Sequence, residues 1–294
     1  MSDKISLFTA NLNQTADLFE KLSTTKPKWW QIVKARPDLY IDIRKDNSLN
    51  IYYYGASLAK IEFIKGKGIV AKTHPKYLGK QESDGSDYYK RYISKKDGKK
   101  KVRPIYQDCI DILENDIESI IENAGKYYVN KNRTGEQVAE KRIQGEIIHR
   151  NPDEYIDSEF AHRLYIDKQN TIRIDLIKVV DNEIIFEELK LIDDNRMLNL
   201  KEVPEILNQM KEYGDFLKVN KDELLDYYKK IIEIKKSLEL PVPEINCETL
   251  TLKQKPVLLL FNNYIKETQQ RKERIEKIER ILRNNDIDFN YWLL

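Results

Sequence analysis

Cysteine is nearly absent: the 294 residues hold only Cys109 and Cys247, far apart and without metal-type spacing. That excludes a disulfide framework and a cysteine zinc site, and it suits a reducing compartment. Histidine is as scarce, and His74, His149 and His162 are scattered, which removes a histidine-based zinc site as well. Long apolar runs are missing. No stretch approaches the roughly 18 uncharged residues of a membrane span. The start, Met1-Ser2-Asp3-Lys4, lacks the apolar stretch of a signal peptide. A cytoplasmic protein with no membrane partner is expected.

Acidic residues are scarce in one region only. Between Lys28 and Arg103 nineteen Lys/Arg stand against eight Asp/Glu, whereas Asp108–Glu122 holds six acidic residues and no basic one. From Gly125 onward 29 basic residues face 32 acidic ones, so the net charge of +2 hides a strong asymmetry. One half is built to meet a polyanion.

What is present supports two domains, since 40% hydrophobic residues suffice for real cores. Residues 1–125 read as a smaller, mainly β domain with some helix. A helix is expected over 10–24 and a short apolar segment from Trp29-Trp30 to Pro37. Strands are expected at Leu39–Arg44, Leu49–Tyr54, Leu58–Ile64 and Gly68–Lys72. A basic hairpin turns at Asp97-Gly98 within Tyr92–Arg103, and an acidic helix runs over Ile105–Ala124. Trp29, Trp30 and the tyrosines 52–54 are read as core rather than base-stacking platforms. In the hairpin, Lys95, Lys96, Lys99, Lys100, Lys101 and Arg103 are candidates for nucleic-acid contact, and so is Arg173 further on.

Residues 126–294 have a clearer rhythm: a helix at Thr134–His149, strands at Ala161–Asp167, Thr171–Val180 and Glu183–Ile192, and helices at Val203–Val219 and Lys221–Leu238. A strand at Pro256–Tyr264, a helix at Lys266–Arg283 and a strand at Ile287–Leu294 complete it. The class is α/β (α+β), a mixed sheet flanked by helices.

The chemistry is concentrated in one hairpin. If Asp181-Asn182 forms a two-residue turn, Val180 pairs with Glu183, and the same register sets Asp175 directly opposite Glu188. Their Cβ atoms are then about 4.5–5.5 Å apart on one face. Lys190 follows two residues later on that face, opposite Arg173. Facing carboxylates repel unless a cation lies between them, and an oxygen-only donor set suits Mg²⁺ or Mn²⁺. The other face, with Ile172, Ile174, Leu176, Ile185, Leu189 and Leu191, reads as core, and Glu187 is expected to pair with Lys178. The bland alternative is a solvated hairpin end held by an Arg173–Glu188 or Asp175–Lys190 ion pair.

Asp175, twelve intervening residues and then Glu188-Leu189-Lys190 resembles the PD-(D/E)xK nuclease superfamily, the restriction-endonuclease-like fold. Its usual order of helix, three antiparallel strands, helix and strand matches 134–264, and Ile174 stands where the name-giving proline would be. The resemblance implies that Asp175, Glu188 and the Leu189 carbonyl hold one or two divalent cations. Glu140 in the preceding helix, within the apolar stripe of Ala139, Ile143 and Ile147, would add a further ligand. Glu136 competes for that place. Gln209 and Tyr213 resemble the Gln-x-x-x-Tyr element of RecB-like members, and their i, i+4 spacing sets both on one helix face. The implied activity is hydrolysis of phosphodiester bonds in nucleic acid, DNA before RNA, with Lys190 orienting the attacking water. A role in restriction or mobile-element defence and a homodimer are further implications. A non-catalytic nucleic-acid-binding module on the same fold is the competing reading.

Overall fold

The structure is a computed structural model that describes residues 5–95, 98–126, 140–165, 171–198, 204–264 and 266–292. The chain divides into two compact units, one of Asn11–Asn132 and Ile234–Leu240, the other of Met1–Ala10, Arg133–Glu233 and Pro241–Leu294. A cut near residue 125 therefore needs two amendments. The first ten residues go with the later unit, and a heptapeptide after Glu233 goes with the earlier one.

The unit built around residues 11–132 begins with α1 (Asp17–Thr25) and α2 (Lys28–Lys34). Leu18, Phe19 and Leu22 give α1 one apolar stripe, and Pro27 sits before α2, where its fixed φ favours helix entry. Four strands follow: β1 (Leu39–Ile43), β2 (Leu49–Tyr53), β3 (Ala56–Ile64) and β4 (Gly68–Thr73). After them come β5 (Tyr89–Ile93), β6 (Lys100–Pro104) and β7 (Gln107–Asp108). The main sheet has the antiparallel order β1-β2-β3-β4-β7, while β5 and β6 form a separate two-stranded ribbon. Trp29, Trp30 and Tyr52 are buried, as core residues should be, and Tyr53 and Tyr54 are half-buried.

The acidic helix expected over Ile105–Ala124 is two helices, α3 (Ile110–Asn115) and α4 (Ile117–Ala124), and its start is drawn into β7. Asp116 breaks it, with φ −152°. The Asn115 amide bonds the Asp111 carbonyl, and Ser119 bonds the Asp116 carbonyl. Asn, Asp and Ser offer the backbone such local partners in place of a helical ladder.

The other unit runs α5 (Glu140–Arg150), β8 (Tyr155–Arg163), β9 (Thr171–Val180), β10 (Glu183–Leu191), α6 (Glu205–Val219) and α7 (Lys221–Ser237). It ends with β11 (Thr251–Leu252), β12 (Val257–Phe261), α8 (Gln269–Asn284) and β13 (Asp288–Trp292). The sheet order is β13-β12-β10-β9-β8, with β11 also beside β10. The β8-β9-β10 part is antiparallel, and β11, β12 and β13 add in parallel. Strand β8 starts six residues before the expected Ala161. Its alternation is broken by a register shift between Tyr155 and Asp157 and by Glu159 at φ +55°, so the period-2 pattern is hidden. The expected helix start at Thr134 and the competing Glu136 lie outside the described residues.

The β9–β10 turn does more than reverse the chain. Asp181 and Asn182 have φ of +50° and +62°, the double left-handed geometry of a type I′ turn. The Asn182 side chain then bonds Asn246 and Thr249, and its carbonyl accepts the Thr251 N–H at 3.0 Å. The turn thus seats β11.

Both faces of β10 are largely buried, which removes the bland alternative of a solvated hairpin end. Ile184, Phe186, Glu188 and Lys190 on the charged face are as enclosed as Leu189 on the other. Phe186 meets Tyr228 of α7 and Phe160 of β8, which accounts for the burial. Ile206 and Met210 of α6, Leu258 and Leu260 of β12, and Ile278 and Leu282 of α8 form a shared core. Among the described residues no helix is long and apolar enough to cross a membrane.

Candidate functional site

The type I′ turn sets the register: Val180 faces Glu183, and the pairing of β9 with β10 runs on to Leu176–Glu187, then stops. Asp175 and Glu188, expected directly opposite each other, are the next residues along and lie just past the end of the pairing. There the Asp175 side chain replaces the ladder, its Oδ2 accepting the Leu189 N–H at 3.0 Å. A carboxylate inserted between two strands exposes both it and its neighbour to whatever lies above the sheet.

What lies there is Lys190. Only 1% of its side chain is exposed. Its Nζ donates to Glu188 Oε1 at 2.5 Å and to the Leu189 carbonyl at 2.7 Å, and lies 3.9 Å from Asp175 Oδ2. From α6, Gln209 donates to the same Glu188 Oε1 at 2.7 Å and to the Tyr213 hydroxyl at 2.6 Å. The Tyr213 hydroxyl in turn donates to the Arg173 carbonyl on β9. The i, i+4 pair on α6 therefore ties the helix both to the carboxylate and to the sheet. The Arg173–Glu188 pair is not made and Arg173 is exposed, whereas Asp175 and Lys190 are within ion-pair distance.

Glu188 is the strained member. Both partners converge on Oε1, and its buried Oε2 has no hydrogen-bond partner. Burial, and after it the charge of Asp175, push the Glu188 carboxyl up to about 8 against the pull of Lys190. Burial also raises Glu140, reinforced by Asp175 and opposed by Lys190. Burial acts to lower the Lys190 ammonium, but Glu188, Glu140 and Asp175 outweigh it and hold it above the usual lysine range. Three carboxyl groups and one ammonium thus share a single field, with Glu140 at the first described turn of α5.

Two features of this cluster were not read from the sequence. Gln144 is 2% exposed, and its amide donates to the Asp175 backbone carbonyl at 2.6 Å, pinning α5 to β9 beside the carboxylate. Its signal was available, because it lies one turn beyond Glu140 on the same helix face. The other is Arg196, paired with Asp194 just after β10; its guanidinium is raised first by Asp194 and also by Glu140 and Glu188. Nothing in the spacing Asp193-Asp194-Asn195-Arg196 marked it.

Of the expected basic residues, Lys95, Lys99, Lys100, Lys101 and Arg103 belong to the other unit, in or beside the β5–β6 ribbon, and Lys96 lies outside the described residues. Among the described residues, no three His, Cys, Asp or Glu side chains gather into a group that could hold a metal ion. The donor chemistry nonetheless fits a hard divalent cation. Asp175, Glu188 and Glu140 offer oxygen only, and Glu188 Oε2 is a buried acceptor with nothing to accept. The Leu189 carbonyl is held by Lys190 and would have to exchange that partner. The chain matches no protein-family model, no curated protein and no solved structure.

Proposed function

We propose that this protein is a divalent-metal-dependent nuclease of restriction-endonuclease-like type, hydrolysing phosphodiester bonds in DNA. The observation that carries the reading is the orphaned, buried Glu188 Oε2 beside Asp175 and under Lys190. A buried carboxylate oxygen without a partner costs about 1–3 kcal/mol or more, and such groups persist where function requires them. The order α5, β8-β9-β10, α6, β12 also supports the resemblance drawn from Asp175 and Glu188-Leu189-Lys190.

In this reading Asp175 and Glu188, with Glu140 beside them, would hold Mg²⁺ or Mn²⁺, and the ion would supply Lewis-acid polarisation of the phosphate and a more acidic water. Lys190 gives up its bond to Glu188 and turns its ammonium to the attacking water and the charge developing on phosphate oxygen. Gln209 keeps the Glu188 carboxylate oriented, Tyr213 fixes Gln209, and Gln144 fixes the backbone of Asp175.

The test incubates the protein with plasmid and single-stranded DNA, and with labelled RNA, in Mg²⁺, Mn²⁺ or EDTA, beside Glu188→Ala and Lys190→Ala. Metal-dependent cleavage lost in both variants is expected; cleavage that survives them discards the site. A second reading has its own support: with Lys190 already paired to Glu188, the cluster can serve as a buried ion pair in a non-catalytic binding module. Failure to cut any substrate, with no Mn²⁺ binding by calorimetry, would favour it.

A further inference from the structure

Among the described residues the β5–β6 ribbon is unlike the other strand pairs, because from Lys90 to Ile93 and from Lys100 to Arg103 it is exposed on both faces. Lys90, Arg91, Tyr92 and Ile93 on β5 and Lys100, Lys101, Val102 and Arg103 on β6 are all exposed. Pairing sets Lys90 opposite Arg103 and Tyr92 opposite Lys101 on one face, and Arg91 opposite Val102 and Ile93 opposite Lys100 on the other. An isolated two-stranded ribbon is marginally stable in water. This one is anchored at its base, where Tyr89 is buried and bonds the Lys80 carbonyl and Ile105 N–H bonds the Tyr88 carbonyl.

Its charge is dense. Elsewhere in the same unit Lys26, Lys34, Arg36, Arg44, Lys60 and Lys72 are each in an ion pair with a carboxylate. Among the described residues none of Lys90, Arg91, Lys95, Lys100 and Arg103 is so neutralised, which they share with Lys65, Lys67, Lys76 and Lys80 of the same unit. The eight exposed ribbon positions include no acid. Such a surface is complementary to a polyanion.

We propose that this ribbon binds duplex DNA by entering the major groove, with the Arg91, Ile93, Lys100 and Val102 face against the base edges. The dimensions agree: five-residue strands extend ~17 Å, and the major groove of B-DNA is about 12 Å wide and admits a two-stranded β-ribbon. Ile93, 67% exposed, and Val102 gain apolar partners in thymine methyl groups, and Arg91 can address guanine. The long side chains of Lys90 and Arg103 reach the flanking phosphates. Duplex RNA has a deep, narrow major groove that side chains do not read. A single strand asks for several stacking rings, and the ribbon offers only Tyr92, whose ring already carries Arg103 at 6.0 Å. The proposal names the substrate class of the nuclease reading and rests on that reading for its purpose, though not for the binding itself.

The experiment is fluorescence anisotropy of the full chain on a labelled duplex of about 30 base pairs, in EDTA so that cleavage plays no part. The triple variant Lys90→Ala, Lys100→Ala, Arg103→Ala should bind the duplex ~10–100-fold more weakly at fixed salt. Its log Kd against log salt slope should be shallower by up to about 0.9 per lost phosphate contact. Ile93→Ala with all charges kept should lose a smaller factor on duplex DNA alone. Unchanged melting temperatures check that the exposed substitutions leave the fold intact. Wild-type affinity and slope in the triple variant overturn the proposal, as does equal or tighter binding to duplex RNA or to single-stranded DNA. Because no cleavage is measured, this failure is separate from loss of the nuclease reading.

Discussion

Consecutive residues of β10 bury two acids on opposite sides of one sheet, and they are treated differently. Glu187 is fully enclosed, and each oxygen has a neighbour: Lys178 Nζ forms an ion pair 2.7 Å from Oε1, which makes no hydrogen bond, and the Tyr155 hydroxyl donates to Oε2 at 2.9 Å. Glu188 has its two partners, Lys190 and Gln209, on one oxygen, with the other left over. The first carboxylate has a cation against one oxygen and a donor on the other. The second holds a carboxylate ready for something further. The difference between the two is that the unbonded oxygen of Glu187 faces a cation and that of Glu188 does not.

The largest expected effect tests that contrast directly. Lys190→Ala should lower metal-dependent cleavage by about 10³-fold, the scale of removing a charge stabiliser from an enclosed site. Glu187→Gln should leave cleavage within a few-fold. Equal losses in the two variants would erase the distinction.

Next comes pH. With the Glu188 carboxyl near 8, the metal-free site is largely protonated below that value, and cation binding must displace the proton. Mn²⁺ affinity should therefore rise nearly tenfold per pH unit well below that value, ~50-fold in all from pH 6 to 8, and then level off. Calorimetry in buffers of different ionisation enthalpy counts the released proton, and a flat profile over that range breaks the assignment.

Gln209→Ala should reduce metal affinity or cleavage by about 10–100-fold, the usual scale for a group that orients a ligand. Its partner experiment is Gln144→Ala, which leaves the Asp175 carbonyl unbonded and should lower stability by about 1–3 kcal/mol in urea titrations. The smallest effect on cleavage belongs to Glu187→Gln, whose signature is instead a similar loss of about 1–3 kcal/mol in the same titration. A Glu187→Gln chain as stable as the parent would show that the pair with Lys178 holds nothing together.

Much of this contrast was legible in the sequence, because type I′ turn chemistry at Asp181-Asn182 fixes every pairing to Leu176–Glu187. The spacing of Gln209 and Tyr213 likewise survives folding intact. Three things were not legible. One is the depth of the hairpin's charged face, because a periodicity argument cannot foresee that α6 and α7 cover it. The Asp175 carboxylate taking the Leu189 N–H depends on where a ladder stops, which no local pattern records. Bulged β8 and the break at Asp116 escaped for the same kind of reason, a single residue leaving the regular period. In the other unit, counting charge between Lys28 and Arg103 found the basic region. Only the ion pairs show which of those cations remain uncommitted.

Asn182 has one more consequence. Its bonds to Asn246, Thr249 and Thr251 join positions more than sixty residues apart in the chain, so the antiparallel hairpin can form early and serve as a template on which the later parallel strands align. A slip of one residue in β12 would swap Leu258 and Leu260 for Leu259 toward α8 and invert that layer of the protein. The tip of the hairpin is therefore also a ruler, measuring out where the second half of the sheet must begin.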